Sequence, residues 1–446
     1  QLSFTSPGIP AFHLLNTCKE GRYQIQKEIV TDPQREVLFQ RISFKSLLDS
    51  LPAYHLYALL APHLGNRGLN NSAWVDDYKG IPMLLAEGNG SAGALACSTP
   101  WLKCAAGYVG FSDGWQDISQ HKRMTWQFDQ AENGNVALTG EVDISQGCTF
   151  SLALGFGRNW SEAAQRARAS LIDGFDTAWQ IYLEEWRDWQ NKLLPLEEIE
   201  THPKIYRTST TVLRTHEAKS FPGGVIASLS LPWGDSKGDD DMGGYHLVWP
   251  RDLVETAGGF LAAGAHQEAI RILNYLQSTQ EVDGCWPQNM WLDGISYWRG
   301  IQMDETAFPI LLVDLCWREN AIQLDGLNRY WPMVRKAAGY LVRNGPVTSQ
   351  DRWEEDAGYS PFTLAVEIAA LLAAADIADE ETESLTAPLL RETADAWNAT
   401  IERWTFVSDT DLAKKYGVSG YYPRIAPPEV GETGSISEGF VPIKNR

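Results

Sequence analysis

Leu364-Ala-Val-Glu-Ile-Ala-Ala-Leu-Leu-Ala-Ala-Ala-Asp376 is apolar at almost every position. A surface helix shows one apolar stripe, whereas a helix apolar all round is buried between neighbours. Ser360-Pro361 just ahead is a good N-cap and first-turn pair. The pattern predicts a helix over 361–378 enclosed by other helices. Further helices are expected at 202–219, 251–264, 266–279, 304–319, 327–344 and 382–405. Long connections rich in Trp, Gly, Pro and Asp lie at 220–250, 280–303 and 345–360. Helical hairpins whose long loops fall on one side make a toroid with one functional face.

Upstream the period changes. Tyr23-Gln-Ile25-Gln, part of Val37–Phe44, Met124-Thr-Trp126-Gln-Phe128 and Val136-Ala-Leu138 alternate as strands do. Gly88-Asn-Gly90 and Glu132-Asn-Gly-Asn135 carry turn chemistry, and Thr149–Gly157 reads as a buried strand. Residues 1–158 are therefore expected to form an antiparallel β-sandwich. At Asn159-Trp-Ser161-Glu162 a helical period begins, with Ser161 as the expected N-cap. It runs through Ala163, Ala167, Leu171, Phe175, Trp179 and Tyr182. Residues 159–200 are read as a helical linker and 201–446 as the helical domain.

The formal net charge is −20. That argues against a nucleic-acid footprint, which needs a basic stripe, and against an anionic membrane surface. No apolar run is read as reaching the roughly 18 residues of a membrane span. The chain opens at Gln1-Leu2-Ser3 without Met, so a leader is not visible and cytoplasmic and secreted locations both stay open. There are 18 Trp among 446 residues. Their flat apolar faces suit sugar rings, and they serve equally as core filler. Six cysteines lack CxxC spacing, so a zinc site or redox dithiol is not expected. Cys97 and Cys104 either pair or stay as buried thiols. Walker and HExxH motifs are absent from the sequence.

Each long loop ends in a polar, aromatic cluster at a helix start. The first is Gly243-Gly-Tyr245-His-Leu-Val-Trp249-Pro-Arg251-Asp252. The second runs from Cys285-Trp286-Pro-Gln288-Asn289-Met-Trp291 to Trp298-Arg-Gly-Ile-Gln302-Met-Asp304-Glu305. The third is Arg352-Trp353-Glu354-Glu355-Asp356-Ala-Gly-Tyr359-Ser360-Pro361. Adjacent carboxylates repel, and beside Trp353 one of them is expected to hold its proton more tightly. A protonated carboxylic acid is what cleavage of a glycosidic bond needs. Taken alone, the same run reads more readily as a solvated acidic loop near a helix N-terminus. Arg251-Asp252 reads either as a grip on vicinal hydroxyls or as an ion pair with a helix cap. Asp304 reads as an N-cap or a sugar contact. Asp239, Asp240 and Asp241 offer oxygens for a structural calcium, without the spacing of a calcium loop.

In this order, the three clusters resemble the glucoamylase family, glycoside hydrolase family 15, in its prokaryotic glucoamylase and glucodextranase branch. The resemblance spans essentially the whole chain. Val30-Thr-Asp32-Pro33 and Gly107-Tyr-Val-Gly110-Phe-Ser-Asp113-Gly114-Trp115 are similar to the N-terminal β-sandwich of those bacterial enzymes. The remainder is similar to their (α/α)6 catalytic barrel. The resemblance implies that Glu354 is the general acid. It makes Glu355 a neighbouring substrate contact and Trp353 the aromatic beside them. Arg251 and Asp252 match a pair that binds hydroxyls of the non-reducing-end glucose, and Tyr245 a tyrosine near the anomeric centre. Trp298, with Gln302 and Asp304 at the same offsets, matches a tryptophan that contacts sugar. Trp249 joins the substrate-binding set from the first cluster. Fungal members have a lysine where this sequence has Pro287-Gln288.

The family inverts, so a second carboxylate is expected across a gap of roughly 6.5–9.5 Å. In the family it lies far beyond the acid, past Arg446 here. The barrel is accordingly expected to be truncated at its C-terminus. The implied activity is exo-acting, inverting hydrolysis of α-glucosides, releasing β-D-glucose from the non-reducing ends of α-glucans. It implies a monomer that needs no cofactor, nucleic acid or membrane. Glucodextranase (α-1,6), trehalase-like and phosphorylase activities are the enzymatic alternatives. A non-catalytic sugar-binding fragment and a purely structural toroid are the others.

Overall fold

In the computed structural model, which describes residues 1–48, 54–199, 203–229 and 244–430, Met83, Leu84, Leu85 and Ala86 are all buried. Side chains along a strand point to opposite faces in turn. Met83 and Leu85 accordingly join one core, and Leu84 and Ala86 another. A strand apolar on both faces must be covered on both. Strand β7 (Ile81–Gly88) sits in such a sheet.

The sheet holds β1 (Leu2–Ser6), β2 (Ile9–Thr17), β3 (Tyr23–Thr31), β4 (Val37–Ser46), β6 (Asn71–Tyr78), β7, β8 (Ser91–Cys97), β10 (Gln130–Gly134) and β12 (Thr149–Gly157). Its order is β1-β2-β3-β4-β12-β8-β7-β6-β10 and every pair is antiparallel. A second sheet of β5 (Leu56–Leu60), β11 (Val136–Val142) and β9 (Trp101–Tyr108) supplies the partners of Leu84 and Ala86. Turn chemistry behaves as expected at the β7–β8 hairpin. Asn89 and Gly90 both take positive φ, 52° and 76°, which a two-residue turn of this hand requires.

The other face is covered by helices α2 (Trp160–Asp173) and α3 (Phe175–Lys192). Ala163, Ala164, Ala167, Phe175 and Trp179 share the core of Met83 and Leu85. A Cβ on Gly155 of β12 would overlap the Ala163 carbonyl. The expected linker at 159–200 is thus a layer of the β unit, which takes in Gln1–Lys192 and Glu197–Thr211. The N-cap is Asn159, whose side chain accepts from Glu162 N–H at 3.0 Å; Ser161 lies inside the helix.

Met124–Phe128 is not a strand. A short helix, α1 (Gly114–His121), precedes it and ends at Lys122 with φ 60°. Asp117 of this helix accepts the Thr125 and Trp126 N–H groups at 2.6 and 2.7 Å. Those donors are satisfied by a side chain, so no ladder forms there. Cys97 and Cys104 are free thiols.

After α4 (Pro203–Thr215), the helical unit is built of hairpins. Helices α5 (Pro250–Ala262) and α6 (His266–Thr279) form the first, and α7 (Met303–Arg318) and α8 (Leu324–Asn344) the second. Helices α9 (Pro361–Glu380) and α10 (Thr386–Asn398) form the third. Helices α5, α7 and α9 pack successively against one another. The helix expected at 382–405 breaks into α10 and α11 (Ile401–Thr405), because Thr400 N–H turns back onto the Trp397 carbonyl. A six-residue helix, α12 (Asp411–Tyr416), follows.

Helix α9 corrects the reading of membrane spans. It is long and apolar enough to cross a membrane, with a mean hydropathy of 1.7 over eighteen residues. Leu364, Ala370, Leu371, Ala374 and Ile377 have no exposed surface, so its apolarity is used in the core of the helical unit. Ser360 caps it as expected, accepting from Thr363 N–H at 3.4 Å.

Candidate active site

The long loops before α5, α7 and α9 are stitched to one another by backbone bonds. Val248 and Met290 exchange N–H···O bonds of 2.9 and 3.0 Å, joining the first loop to the second. Gln350 N–H donates to Ile301 O at 3.2 Å, and Met303 N–H to Thr348 Oγ1 at 3.2 Å, joining the second to the third. The three polar clusters therefore form one surface at the starts of these helices.

Arg251, in the first turn of α5, is held from below. Its Nη1 donates to Asp304 Oδ2 at 2.6 Å and to Gln302 Oε1 at 2.9 Å, and lies 3.1 Å from Glu305 Oε1. Its backbone N–H donates to Glu305 Oε2 at 2.5 Å. Thr363 of α9 adds a bond from Oγ1 to Asp304 Oδ1 at 3.3 Å. Burial works against the guanidinium charge, but Glu305 and Asp304 outweigh it and raise the Arg251 pKa, so it stays a cation. Burial likewise raises the Glu305 carboxyl well above the usual range, against the pull of Arg251.

This geometry changes three expectations. Gln302 and Asp304 have no exposed surface and each turns a side-chain oxygen to Arg251, so they brace it from behind, with Gln302 Nε2 left without a hydrogen-bond partner among the described residues. Asp304 is no N-cap either, because Gln302 occupies that position. Trp249 is 5% exposed and lies beneath Tyr245, with ring centroids 6.0 Å apart. The open aromatic faces are Tyr245, Trp298 and Trp353, at 55%, 40% and 60%.

Asp252 follows Arg251 and reaches solvent. It borders a pocket of about 300 Å³ shared with Leu213, His216, Ile226 and Glu255. Crowding by protein atoms raises its carboxyl pKa, while Arg251 pulls it back.

The acid loop is organised by Asp351. Its N–H donates to Asp356 O and its carbonyl accepts Glu354 N–H, both at 2.9 Å. Its Oδ1 accepts the N–H groups of Trp353 and Glu355 at 3.1 Å each. Glu354 itself takes φ 65°, a left-handed conformation that is uncommon for a non-glycine residue. Its neighbour differs in environment. The Glu355 side chain is 2% exposed and lies 3.6 Å from Arg424 Nη2, whereas Glu354, half-buried as a residue like Glu355, has no ion-pair partner among the described residues. The two adjacent glutamates thus differ in partner, Glu355 facing a cation and Glu354 none among the described residues. Glu355 is placed against protein rather than on open surface. Arg352 lies over the Phe362 ring at 4.2 Å.

Glu305, Asp351 and Arg424 were not singled out from sequence. Glu305 stands beside Asp304 in the second cluster, and Asp351 just ahead of the third, so proximity was the available signal. Arg424 had none. Asp239, Asp240 and Asp241 lie outside the described residues. Among the described residues no group of three or more metal-ligating side chains is placed to hold an ion.

Comparison with known proteins identifies the family. Residues 1–191 match the family model for glucodextranase, domain N, and residues 201–284 and 287–426 that for glycosyl hydrolases family 15. A glucoamylase from Clostridium sp. (strain G0005) is 36% identical over 431 residues, which is 96% of this chain and 59% of the relative. An uncharacterized glycosyl hydrolase of Methanocaldococcus jannaschii is 21% identical over 350 residues, covering 75% of this chain and 54% of that protein. The crystal structure of a bacterial glucoamylase complexed with acarbose superposes with a TM-score of 0.86 at 36% identity, over 96% of this chain and 61% of the other. The chain thus spans about three-fifths of the relatives it matches best in coverage. With an antiparallel β unit followed by helical hairpins, and matches that cover both, the chain belongs to glycoside hydrolase family 15.

Proposed function

We propose that the protein hydrolyses α-glucosidic bonds at the non-reducing ends of α-glucans with inversion, releasing β-D-glucose, and that Glu354 is the proton donor. The observation that carries this reading is the difference between the two glutamates. Glu355 is covered beside Arg424, while Glu354 is held in a left-handed turn with no ion-pair partner among the described residues, and Trp353, Trp298 and Tyr245 of the three loops keep open faces. Stacking faces of that kind suit sugar rings. Arg251, pinned by Gln302, Asp304 and Glu305, and Asp252 beside it supply a donor and an acceptor for vicinal hydroxyls. The similarity to a glucoamylase that was crystallised with acarbose supports an α-linked oligosaccharide as the ligand class.

In this reading the Glu354 proton passes to the glycosidic oxygen as the bond to the anomeric carbon breaks. Water attacks that carbon from the opposite face and gives its proton to a second carboxylate. No described residue is assigned as that base, and no cofactor enters the scheme.

The test uses the full-length protein. Glu354→Gln should lower kcat on maltooligosaccharides by about 10²–10⁴-fold, while acarbose binding measured by calorimetry persists. An unchanged kcat would remove Glu354 from the role. NMR of the first product should show the β-anomer, and an α-anomer would exclude inversion. Relative turnover of maltose and isomaltose reads the linkage.

A further inference from the structure

The segment carrying Arg424 is docked along the acid loop. Tyr359 N–H donates to Ala426 O at 2.8 Å, and Ala426 N–H returns a bond to Tyr359 O at 2.9 Å. The neighbouring residues Ile425 and Ala426 are buried, and the Tyr359 ring stacks on Trp404 with centroids 4.7 Å apart. At Gly358 the two strands come so close that a Cβ would overlap the Ala426 carbonyl oxygen. The guanidinium of Arg424 is thereby delivered to a fixed place.

That place is among the carboxylates of the acid loop. One terminal nitrogen, Nη1, contacts Asp351 Oδ2. The other, Nη2, donates to Asp356 Oδ2 at 2.8 Å and faces Glu355 Oε2 at 3.6 Å. Asp351 is 1% exposed. Its other oxygen, Oδ1, accepts the amides of Trp353 and Glu355, the residues on either side of Glu354. Its carbonyl accepts the amide of Glu354 itself. The left-handed turn at Glu354 therefore depends on a buried carboxylate, and that carboxylate depends on Arg424. Without the cation, Asp351, Glu355 and Asp356 repel one another, and Glu354 is free to return to an ordinary backbone conformation.

We infer that Arg424 is a positioning residue for the proton donor: acting through Asp351, it sets the direction in which the Glu354 carboxyl is presented. Its guanidinium is placed among the carboxylates of Asp351, Glu355 and Asp356. The inference rests on the reading of Glu354 as the acid. It adds that the fork geometry matters, since two nitrogens serve different carboxylates and a lysine ammonium is a single point charge.

The experiment is a double-mutant cycle in the full-length protein, with kcat and KM measured at a temperature where circular dichroism shows every variant folded. Arg424→Met should lower kcat on the order of 10²-fold, the scale of a misplaced catalytic group, with KM changed by less than about threefold because Arg251 and Asp252 belong to another helix. Asp351→Asn should do the same. The double variant should lose no more than the larger single loss, because both act through one contact. Multiplying losses, a change confined to KM, or an unchanged kcat in Arg424→Met would each overturn the inference. If Arg424→Met does not fold, Arg424→Lys takes its place in the cycle. A wild-type kcat there would overturn it, and a reduced kcat that does not multiply with Asp351→Asn would support it. Glu354→Gln separates the two levels. If it stays active, the acid assignment itself fails. If it is inactive while Arg424→Met is not, only the positioning role fails.

Discussion

The guanidinium of Arg251 meets the carboxylate of Asp304 at 2.6 Å, at a depth where Asp304 has no exposed surface. This contact joins the first turn of α5 to that of α7. Removing one partner of a buried pair leaves an uncompensated charge, at a cost of about 3–5 kcal/mol. Here a substitute stands by. Glu305 lies 3.1 Å from the same nitrogen, and burial together with Asp304 raises its carboxyl pKa despite the pull of Arg251. In Asp304→Ala the repulsion from Asp304 disappears and Glu305 ionises more readily. The destabilisation should therefore be largest near pH 5 and smaller near pH 8, measured as the shift in urea midpoint against the parent. A loss independent of pH would show that Glu305 does not take over.

Tyr245 and Trp249 are ring neighbours with opposite duties. Trp249 is 5% exposed and Tyr245 55%. Trp249→Ala opens a cavity in the helical unit and should cost about 3–5 kcal/mol. Tyr245→Ala removes an open face and should leave stability within about 0.5 kcal/mol, while lowering kcat/KM. Thermal melts of the two variants beside kinetics on maltose check this. Equal destabilisation by both would refute the division.

These pairs show where sequence was legible. The apolar helix around Leu364–Asp376 could be read because a helix with no polar face has only one place to go. Strand β7 follows the same logic in two layers. The cluster order located the site, because each cluster stands at a helix start and the starts lie together. What one sequence could not show is which way a side chain turns. Gln302, Asp304 and Trp249 occupy positions suggestive of sugar contact, yet face inward. Met124–Phe128 alternates like a strand, but Asp117 takes its donors. The partner of the acid loop, Arg424, lies far along the chain, and long-range ion pairs leave no periodic trace.

Glu367 of α9 is buried with no exposed surface, and neither carboxylate oxygen has a hydrogen-bond partner among the described residues. Gly345 leaves it room, since a Cβ there would stand 2.7 Å from Oε1. Burial, then Asp304, raises its pKa well above the ordinary 4.5. The folded protein thus keeps a proton that the unfolded chain has lost. Stability falls by about 1.4 kcal/mol per pH unit as pH rises from that ordinary value toward the raised one. Glu367→Gln removes this slope. The variant should match the parent below about pH 4 and exceed it at neutral pH, read from denaturation midpoints over pH 4–8. Parallel pH profiles would mean that Glu367 has a partner stabilising its charge.

Gly358 is where the acid loop and the segment of Ala426 touch. Its φ is 154°, and a side chain would overlap the Ala426 carbonyl oxygen. That oxygen belongs to backbone, so it cannot swing aside as the end of a long side chain would. Gly358→Ala must therefore push the segments apart and stretch the paired bonds between Tyr359 and Ala426. Two bonds at about 0.5–1.5 kcal/mol each set the cost at roughly 1–3 kcal/mol. The loss is local, because α9 is anchored independently by its buried face and by Ser360. Amide hydrogen exchange distinguishes this from general unfolding. In Gly358→Ala the Tyr359 and Ala426 amides should exchange faster by a similar factor of about 5–150, the equivalent of 1–3 kcal/mol. Amides in the middle of α9 should keep their protection. Faster exchange throughout α9 would mean that the docked segment holds up the helix itself, and unchanged exchange at Tyr359 would mean that the contact yields without opening.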